Sequence, residues 1–440
     1  MKNIYLLLLF IVSIFIVSCG NKITAPSETM DGITYYDPST AETKQYSFYR
    51  LDHNTGYNIF VKESFRKLAE SKNTIIYVED GQDITRADIM NFINKFEEYY
   101  PKELEIYGEH SDIDGNGKII FLMASLNTNK KPNSGNMGGY FDPKDLLYGK
   151  DGVKGEYLHV DFTYGIDKVI GVMMHELQHL INYNVNVFNG NKSMDIWLNE
   201  ALSESTSHLF SKDIVKSREN AFLKTPYYSF YSWYMRYANN NRDNIFGASG
   251  ILISYSSSSI FMNWLNTKTG GDYEIFKEIA HSNPSLTSEE RLTGITSKYG
   301  LGDNMDDVML NWIDGLSKGE LPGISISAIS PNDPNISKNG SILLLPRSVI
   351  VYNTSSIPAD AKTKRIQLSG QAWNGFSAVV NTSENKNVGY VDEADIVSLN
   401  LPQVNVLNSS MKYKSLDLNS LEGDYFIDKV FSEYDIIIKE

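Results

Sequence analysis

The chain has 440 residues, a formal charge of −14 at pH 7, 42% hydrophobic residues and one cysteine. That length is enough for two or three domains with sizeable cores, and the apolar share marks an ordered globular chain. The acidic balance excludes a nucleic-acid footprint, and a single cysteine excludes an internal disulfide framework.

The first residues carry a targeting pattern. Met1-Lys2 is a short basic start, and Ile4–Val17 is apolar apart from Ser13. The run is shorter than the ~20 residues that span a membrane and fits the apolar core of a secretory signal. Ile16-Val17-Ser18-Cys19-Gly20 resembles a bacterial lipobox. Cleavage before Cys19 would leave a thiol for lipidation, and two or three acyl chains at ~0.8 kcal/mol per buried CH₂ anchor stably. Residues 1–18 are therefore expected to be a lipoprotein signal peptide, with the mature protein held at a membrane of the cell envelope. The competing reading is an ordinary signal peptide, or an anchor helix, with a chance cysteine. Residues 19–45 are polar and rich in Ser, Thr, Pro and Asp, and read as a flexible tether.

From residue 46 to 165 the pattern alternates between strand and helix. Thr74–Val78, Lys118–Met123 and Tyr157–Phe162 are short strand-like runs. Ile84–Tyr100 has helical spacing, with Asp83 or Thr85 as its cap and Pro101 as its stop. Asp112-x-Asp114-Gly-Asn116-Gly-Lys118 looks like the first half of a calcium loop, with oxygens at positions 1, 3 and 5 and glycine at 6. Position 12 falls on Met123, so the bidentate glutamate of such a loop is missing and an Asx-rich turn is the favoured reading over Ca²⁺.

The chemistry concentrates in residues 169–204. His175-Glu176-Leu-Gln-His179 places two imidazoles one turn apart on one helix face, where they can hold one Zn²⁺ at ~2.0–2.1 Å each. Glu176 need not be a ligand; it can reach a water on the metal and take its proton. By itself such a motif often sits on a solvated helix face. Here Val169, Ile170, Val172, Met173 and Met174 precede it, so the helix is expected to be buried. A catalytic zinc takes three protein ligands. Glu200, in Trp197-Leu-Asn-Glu200-Ala-Leu-Ser-Glu204, is the best candidate for the third, on a second helix patterned by Ile196, Trp197, Leu198, Ala201, Leu202, Leu209 and Phe210. Glu204, one turn on, would stand behind a ligand histidine and fix its tautomer. At this stage the two glutamates can exchange roles.

Beyond Glu204 the chain is expected to stay helical, through the aromatic run Tyr227–Tyr237, with Phe246-Gly247 and Ser256–Ser259 loosening it and Ile260–Leu265 and Tyr273–Ile279 resuming helical spacing. A donor for the oxyanion of peptide hydrolysis is sought here. Tyr255, His281, His208 and the Tyr227–Tyr237 cluster are candidates, each in competition with a plain core or surface role. His53, His110 and His159 have no partner spacing and read as ordinary residues.

From Leu321 the composition shifts to short β-branched runs punctuated by Pro, Gly, Ser and Asn. Ile324–Ile329, Ser341–Leu345, Val349–Tyr352, Arg365–Leu368, Phe376–Val380, Tyr425–Val430 and Tyr434–Lys439 suggest a C-terminal β-sandwich over residues 321–440, a module for binding or shielding with no evident chemistry.

HELQH followed by WLNEALSE resembles the gluzincin metallopeptidases, and within them the hyicolysin-type bacterial enzymes. Asp112–Ile119, Gly139–Pro143, Tyr157–Asp161 and Tyr255–Leu265 support the resemblance, which covers residues 46–320. The resemblance implies an α+β fold: a mixed α/β subdomain, then a helical one. It implies His175, His179 and Glu200 as zinc ligands and Glu176 as the base. It also implies an edge strand that pairs with an extended peptide substrate, and Tyr255 opens the segment similar to the family's later helix, which makes it the first choice of donor. The 20 residues between His179 and Glu200 are slightly more than in the best-known members. Aminopeptidases of this group carry a Gly-x-Met-Glu-Asn segment whose glutamate holds the free amine; Gly135-Asn-Met-Gly-Gly139 has none. The expected function is thus zinc-dependent endopeptidase action on proteins or peptides. The alternative is a non-catalytic surface-binding lipoprotein on the same fold.

Overall fold

The structure is a computed structural model that describes residues 28–400, with breaks at 56, 131–135, 150–152, 232–250, 331–332, 334–336, 339–340, 354–359 and 385–392, together with 412–415. Cys19 and the signal segment lie outside the described residues, as do Gly135, Phe246-Gly247 and the strands expected at 425–430 and 434–439.

Nine strands form one mixed sheet: β1 (Glu28–Met30), β2 (Ile33–Tyr35), β3 (Thr43–Asp52), β4 (Tyr57–Glu70), β5 (Thr74–Glu79), β6 (Ile119–Ala124), β7 (Asn127–Thr128), β8 (Gly139–Phe141) and β9 (Tyr157–Asp161). The main order is β1-β2-β4-β5-β6-β9-β8, with β5, β6 and β9 parallel and β8 antiparallel at the edge. The β3–β4 hairpin runs in register from Thr43↔Arg66 to Asp52↔Tyr57, and β3 also pairs with β7. Part of the expected tether is therefore sheet: Ile33 and Tyr35 are buried, and Thr34 and Tyr35 pair with the end of β4.

β6 shows why the centre of the sheet was readable as an unbroken apolar run. All six of its residues are buried. Phe121 and Met123 join one core with Phe92 and Phe96, while Ile120, Leu122 and Ala124 join a second with Tyr46, Phe48 and Phe65. A strand covered on both faces has no polar alternation to show.

Helix α1 (Arg86–Tyr107) covers the first face. Thr85 caps it in a capping box with Asp88, as expected, but Pro101 does not stop it. The helix continues a turn and a half because Ile106 and Tyr107 are buried in the main core, which outweighs the one backbone hydrogen bond a proline removes. A short α2 (Pro143–Leu147) follows β8. Then come α3 (Ile166–Tyr183), α4 (Ile196–Phe210), α5 (Lys212–Lys224), α6 (Ile251–Lys268), α7 (Glu274–Ala280), α8 (Ser288–Thr296) and α9 (Met305–Ser317). α3 packs on α1, α4, β8 and β9. Gly171 is where α5 approaches it: a Cβ there would stand 2.5 Å from Ile214 Cδ1 and 2.5 Å from Ser211 Oγ.

Two expectations for the helical region are corrected. Ser256–Ser259 does not loosen a helix; the four serines are buried inside α6. Their small side chains allow α4 and α5 to pack closely, and Ser256 Oγ bonds back to the Ile253 carbonyl at 3.2 Å. The Tyr227–Tyr237 run does not begin as helix: Tyr227–Ser229 is a strand, β10, paired with β14 (Ser348–Tyr352).

That pairing also changes the C-terminal picture. β14, β15 (Thr363–Gln367) and β16 (Ser377–Asn381) form a four-stranded sheet only with β10, in the order β10-β14-β16-β15. β12 (Ser337–Lys338), β13 (Ser341–Leu344) and β17 (Val397–Leu399) make a three-stranded sheet, and β11 (Ala328–Ile329) pairs with β18 (Tyr413–Lys414). α9 packs on β16, and the buried Arg347 bridges Glu289 at 2.7 Å while also pairing with Asp306. Among the described residues, the strands after residue 321 lie in three small sheets, one of which includes β10 and packs on α9.

Candidate metal centre

α3 and α4 lie side by side, and their facing turns bring the predicted residues together. His175 Nε2 is 3.1 Å from His179 Nε2 and 3.3 Å from Glu200 Oε2, and His179 Nε2 is 3.7 Å from Glu200 Oε1. Tetrahedral ligands held at ~2.0–2.1 Å from one zinc stand roughly 3.3 Å apart. The three donors therefore have the spacing a zinc ion needs, and this group could hold one.

The electrostatics suit that task. All three side chains are buried. Burial, with the charges of His179 and Arg218 nearby, holds the His175 imidazole well below its ordinary range. Burial pulls His179 down to about 4, against an opposing hydrogen bond to Asn199. Neutral imidazoles present lone pairs, which is the form a metal takes.

The two glutamates take different positions around the histidines. Glu204 is not on the Nε2 side; its Oε1 lies 3.7 Å from His175 Nδ1. Arg218, from α5, holds it with Nε to Oε2 at 2.9 Å and Nη2 to Oε1 at 2.9 Å. Arg218 is itself buried, its guanidinium 4.6 Å over the Tyr255 ring. Tyr255 in turn lies 6.4 Å, ring to ring, from His175. On the other histidine, Nδ1 of His179 is 3.1 Å from Asn199 Oδ1 and 3.0 Å from Ser203 Oγ, with Gln178 bonded to Ser203 behind it. Each histidine thus has polar partners behind its ring, within hydrogen-bond distance for His179 and at 3.7 Å for His175.

Arg218, Asn199 and Ser203 are absent from the sequence reading. Asn199 and Ser203 flank Glu200 in the same stretch, one turn apart, so the spacing to see them was there. Arg218 had no signal beyond being an arginine on a mostly polar helix. Of the rival donors, His208 hydrogen-bonds the Ser259 carbonyl at 2.9 Å, and His281 ends α7 against Gly108. His53 sits at 3.2 Å from Asn127 Oδ1, and His110 meets Tyr100. His159 has a partner after all: its Nε2 lies 3.0 Å from the buried Asp145 Oδ2, with Tyr140 stacked on the ring at 4.1 Å. In the Asp112–Asn116 loop, Asn116 N donates to Asp114 Oδ1 at 3.1 Å and Gly117 N to Asp112 Oδ1 at 2.9 Å.

Glu176 is buried beside β8. That strand has room to lie there because residue 139 is glycine: a Cβ would stand 2.6 Å from Val172 Cγ1, 2.9 Å from the His159 carbonyl and 3.2 Å from Glu176 Cγ. Gly139→Ala is expected to displace β8 or Glu176, costing about 1–3 kcal/mol by overpacking. Urea unfolding and peptide cleavage measured together check this; a variant unchanged in both would mean that the strand yields freely.

No family model matches the chain. It is 27% identical over 341 residues to the Neutral metalloprotease ShpI of Staphylococcus hyicus, an alignment covering 70% of this chain and 74% of that protein. Among solved structures, an aminopeptidase N family protein from Idiomarina loihiensis aligns at 11% identity with a TM-score of 0.30, over 69% of this chain. This chain spans about half of that protein's length, 51%, and a likeness so loose carries no argument. The similarity to a metalloprotease, together with a buried His-His-Glu cluster spaced for one metal ion, supports a metallopeptidase.

Proposed function

We propose that the protein is a zinc-dependent endopeptidase that hydrolyses peptide bonds of proteins or peptides. The observation that carries the reading is the meeting of His175, His179 and Glu200 at one point, on the helix whose next residue is Glu176. These three residues would hold the zinc. When bound, zinc supplies a Lewis acid that acidifies water and polarises a carbonyl oxygen. The Glu176 carboxylate takes the proton of the attacking water and returns it to the leaving amine. Glu204 with Arg218, and Asn199 with Ser203, keep the two imidazoles aimed. Tyr255, in the wall beside His175, is our choice for the donor to the oxyanion. β8, at the sheet edge beside Glu176, is the strand placed to pair with an extended substrate backbone. The absence of any acidic residue in Gly135–Gly139 supports internal cleavage over removal of N-terminal residues.

Metal analysis of the purified protein and of His175→Ala and Glu200→Ala tests the ligand set, with an internally quenched peptide set against free-amine substrates as the activity readout. About one zinc per chain, lost in both variants, is the expected result. Zinc retained in Glu200→Ala would move the third ligand elsewhere. A parent that takes up no zinc would leave the non-catalytic binding reading in its place.

A further inference from the structure

The loop that resembles half a calcium site acquires a carboxylate that its own sequence lacks. Glu156, immediately before β9, is fully buried. Its Oε1 accepts hydrogen bonds from Ser111 Oγ at 2.7 Å and Ile113 N at 3.0 Å, which draws it under the loop. Its Oε2 has no hydrogen-bond partner among the described residues. One carboxylate oxygen each of Asp112, Asp114 and Glu156 lies within 4.8 Å of the others. The two aspartates are exposed, so the group opens to solvent on one side and ends in a buried, under-satisfied carboxylate on the other.

A buried carboxylate oxygen with no donor is costly, and three carboxylates converging on one point repel one another. A cation answers both. The donor set is all oxygen, which selects a hard ion. Calcium, with bonds of about 2.3–2.6 Å, bridges oxygens up to ~5 Å apart, whereas magnesium at ~2.0–2.1 Å spans only ~4 Å and demands octahedral order. The residue expected at position 12 of an ordinary loop is Met123, which is buried in β6. Glu156, arriving from a neighbouring strand, stands in its place. Asn116 is occupied otherwise, its Oδ1 accepting from Lys118 N at 2.6 Å and its Nδ2 donating to Asp114 Oδ2 at 2.6 Å.

We propose that Asp112, Asp114 and Glu156 form a calcium site that ties the loop after α1 to the start of β9. The Glu156 carbonyl already accepts from Ile120 N of β6 at 2.8 Å, so the ion would pin β6 and β9 where they begin to pair. The site is separate from the His-His-Glu cluster and does not depend on the reading given to it.

Calcium chloride titrated calorimetrically into the purified, calcium-depleted protein tests the proposal, with melting temperature and zinc content read in parallel. One binding event is expected, with a dissociation constant at or below about 1 mM, as in extracellular calcium modules. The melting temperature is expected to rise with calcium and much less with magnesium. Asp112→Asn and Asp114→Asn alter exposed residues and should fold; each is expected to weaken calcium binding at least about tenfold while zinc content stays the same. Glu156→Gln, if folded, is expected to lose the calcium response entirely. No binding by the parent up to about 10 mM calcium, or unchanged binding in both aspartate variants, would overturn the site.

Discussion

Glu176→Gln is expected to keep its metal and lose peptide hydrolysis by about 10²–10⁴-fold, the range general acid–base catalysis contributes. The substitution is nearly isosteric, and Glu176 is not among the residues that converge on the metal position, so metal content should match the parent. What disappears is the proton acceptor. An amide can neither take a proton from water at neutral pH nor deliver one to an amine. The comparison is clean because Glu176 is buried and its neighbours, Val172 and Gly139, are unaffected by exchange of one oxygen for nitrogen. Metal-loaded Glu176→Gln that still cleaves an internally quenched peptide at the parental rate would exclude this mechanism. Tyr255→Phe belongs in the same assay. A donor to the oxyanion lowers kcat with KM little changed, whereas a tyrosine that only supports the Arg218 guanidinium leaves both nearly intact.

Arg218→Met is expected to cost about 3–5 kcal/mol of folding stability, far more than an ordinary surface arginine. Arg218 gives two charge-assisted hydrogen bonds to Glu204, and both side chains are out of water. Burial already pushes the Glu204 carboxyl above its usual range, with Arg218 pulling the other way. With the guanidinium gone, Glu204 must stay ionised and unpaired or take a proton. In either case the carboxylate 3.7 Å behind His175 Nδ1 is no longer held in place, so metal affinity should fall along with stability. Urea unfolding with and without metal reads both effects. Arg218→Met with Glu204→Leu is expected to recover most of the stability and none of the metal affinity, since it removes the stranded charge together with the positioning group. A single variant within about 1 kcal/mol of the parent would show the pair to be a bystander.

The parts of this molecule legible in the sequence are those whose signal is local. His175, Glu176 and His179 share one helical turn, and the apolar residues before them announced a buried helix. The central strands were legible because both faces are covered, so that Lys118–Met123 was read within a residue of the observed Ile119–Ala124. The β3–β4 hairpin was missed because charged residues such as Lys62, Glu63 and Arg66 interrupt its apolar pattern. Arg218 and Glu156 were invisible for a related reason. Their meaning lies in a residue on another element, Glu204 for one and the Asp112–Asp114 loop for the other, and no spacing in the chain records it. Pro101 shows the converse: a strong local stop signal yields where the next turn carries core residues.

The pairing of Tyr227 with Ile350 has a consequence for how the protein comes into being. Synthesis proceeds from the N-terminus, so the helices bearing His175 and Glu200 arrive first. The Tyr227–Ser229 strand sits between α5 and α6, yet its hydrogen-bond partners are delivered more than a hundred residues later. Until then the Tyr227–Ser229 strand, which packs on α6, lacks its partner. A chain assembled in this order holds the Tyr227–Ser229 strand unpaired until residues 348–350 have been made.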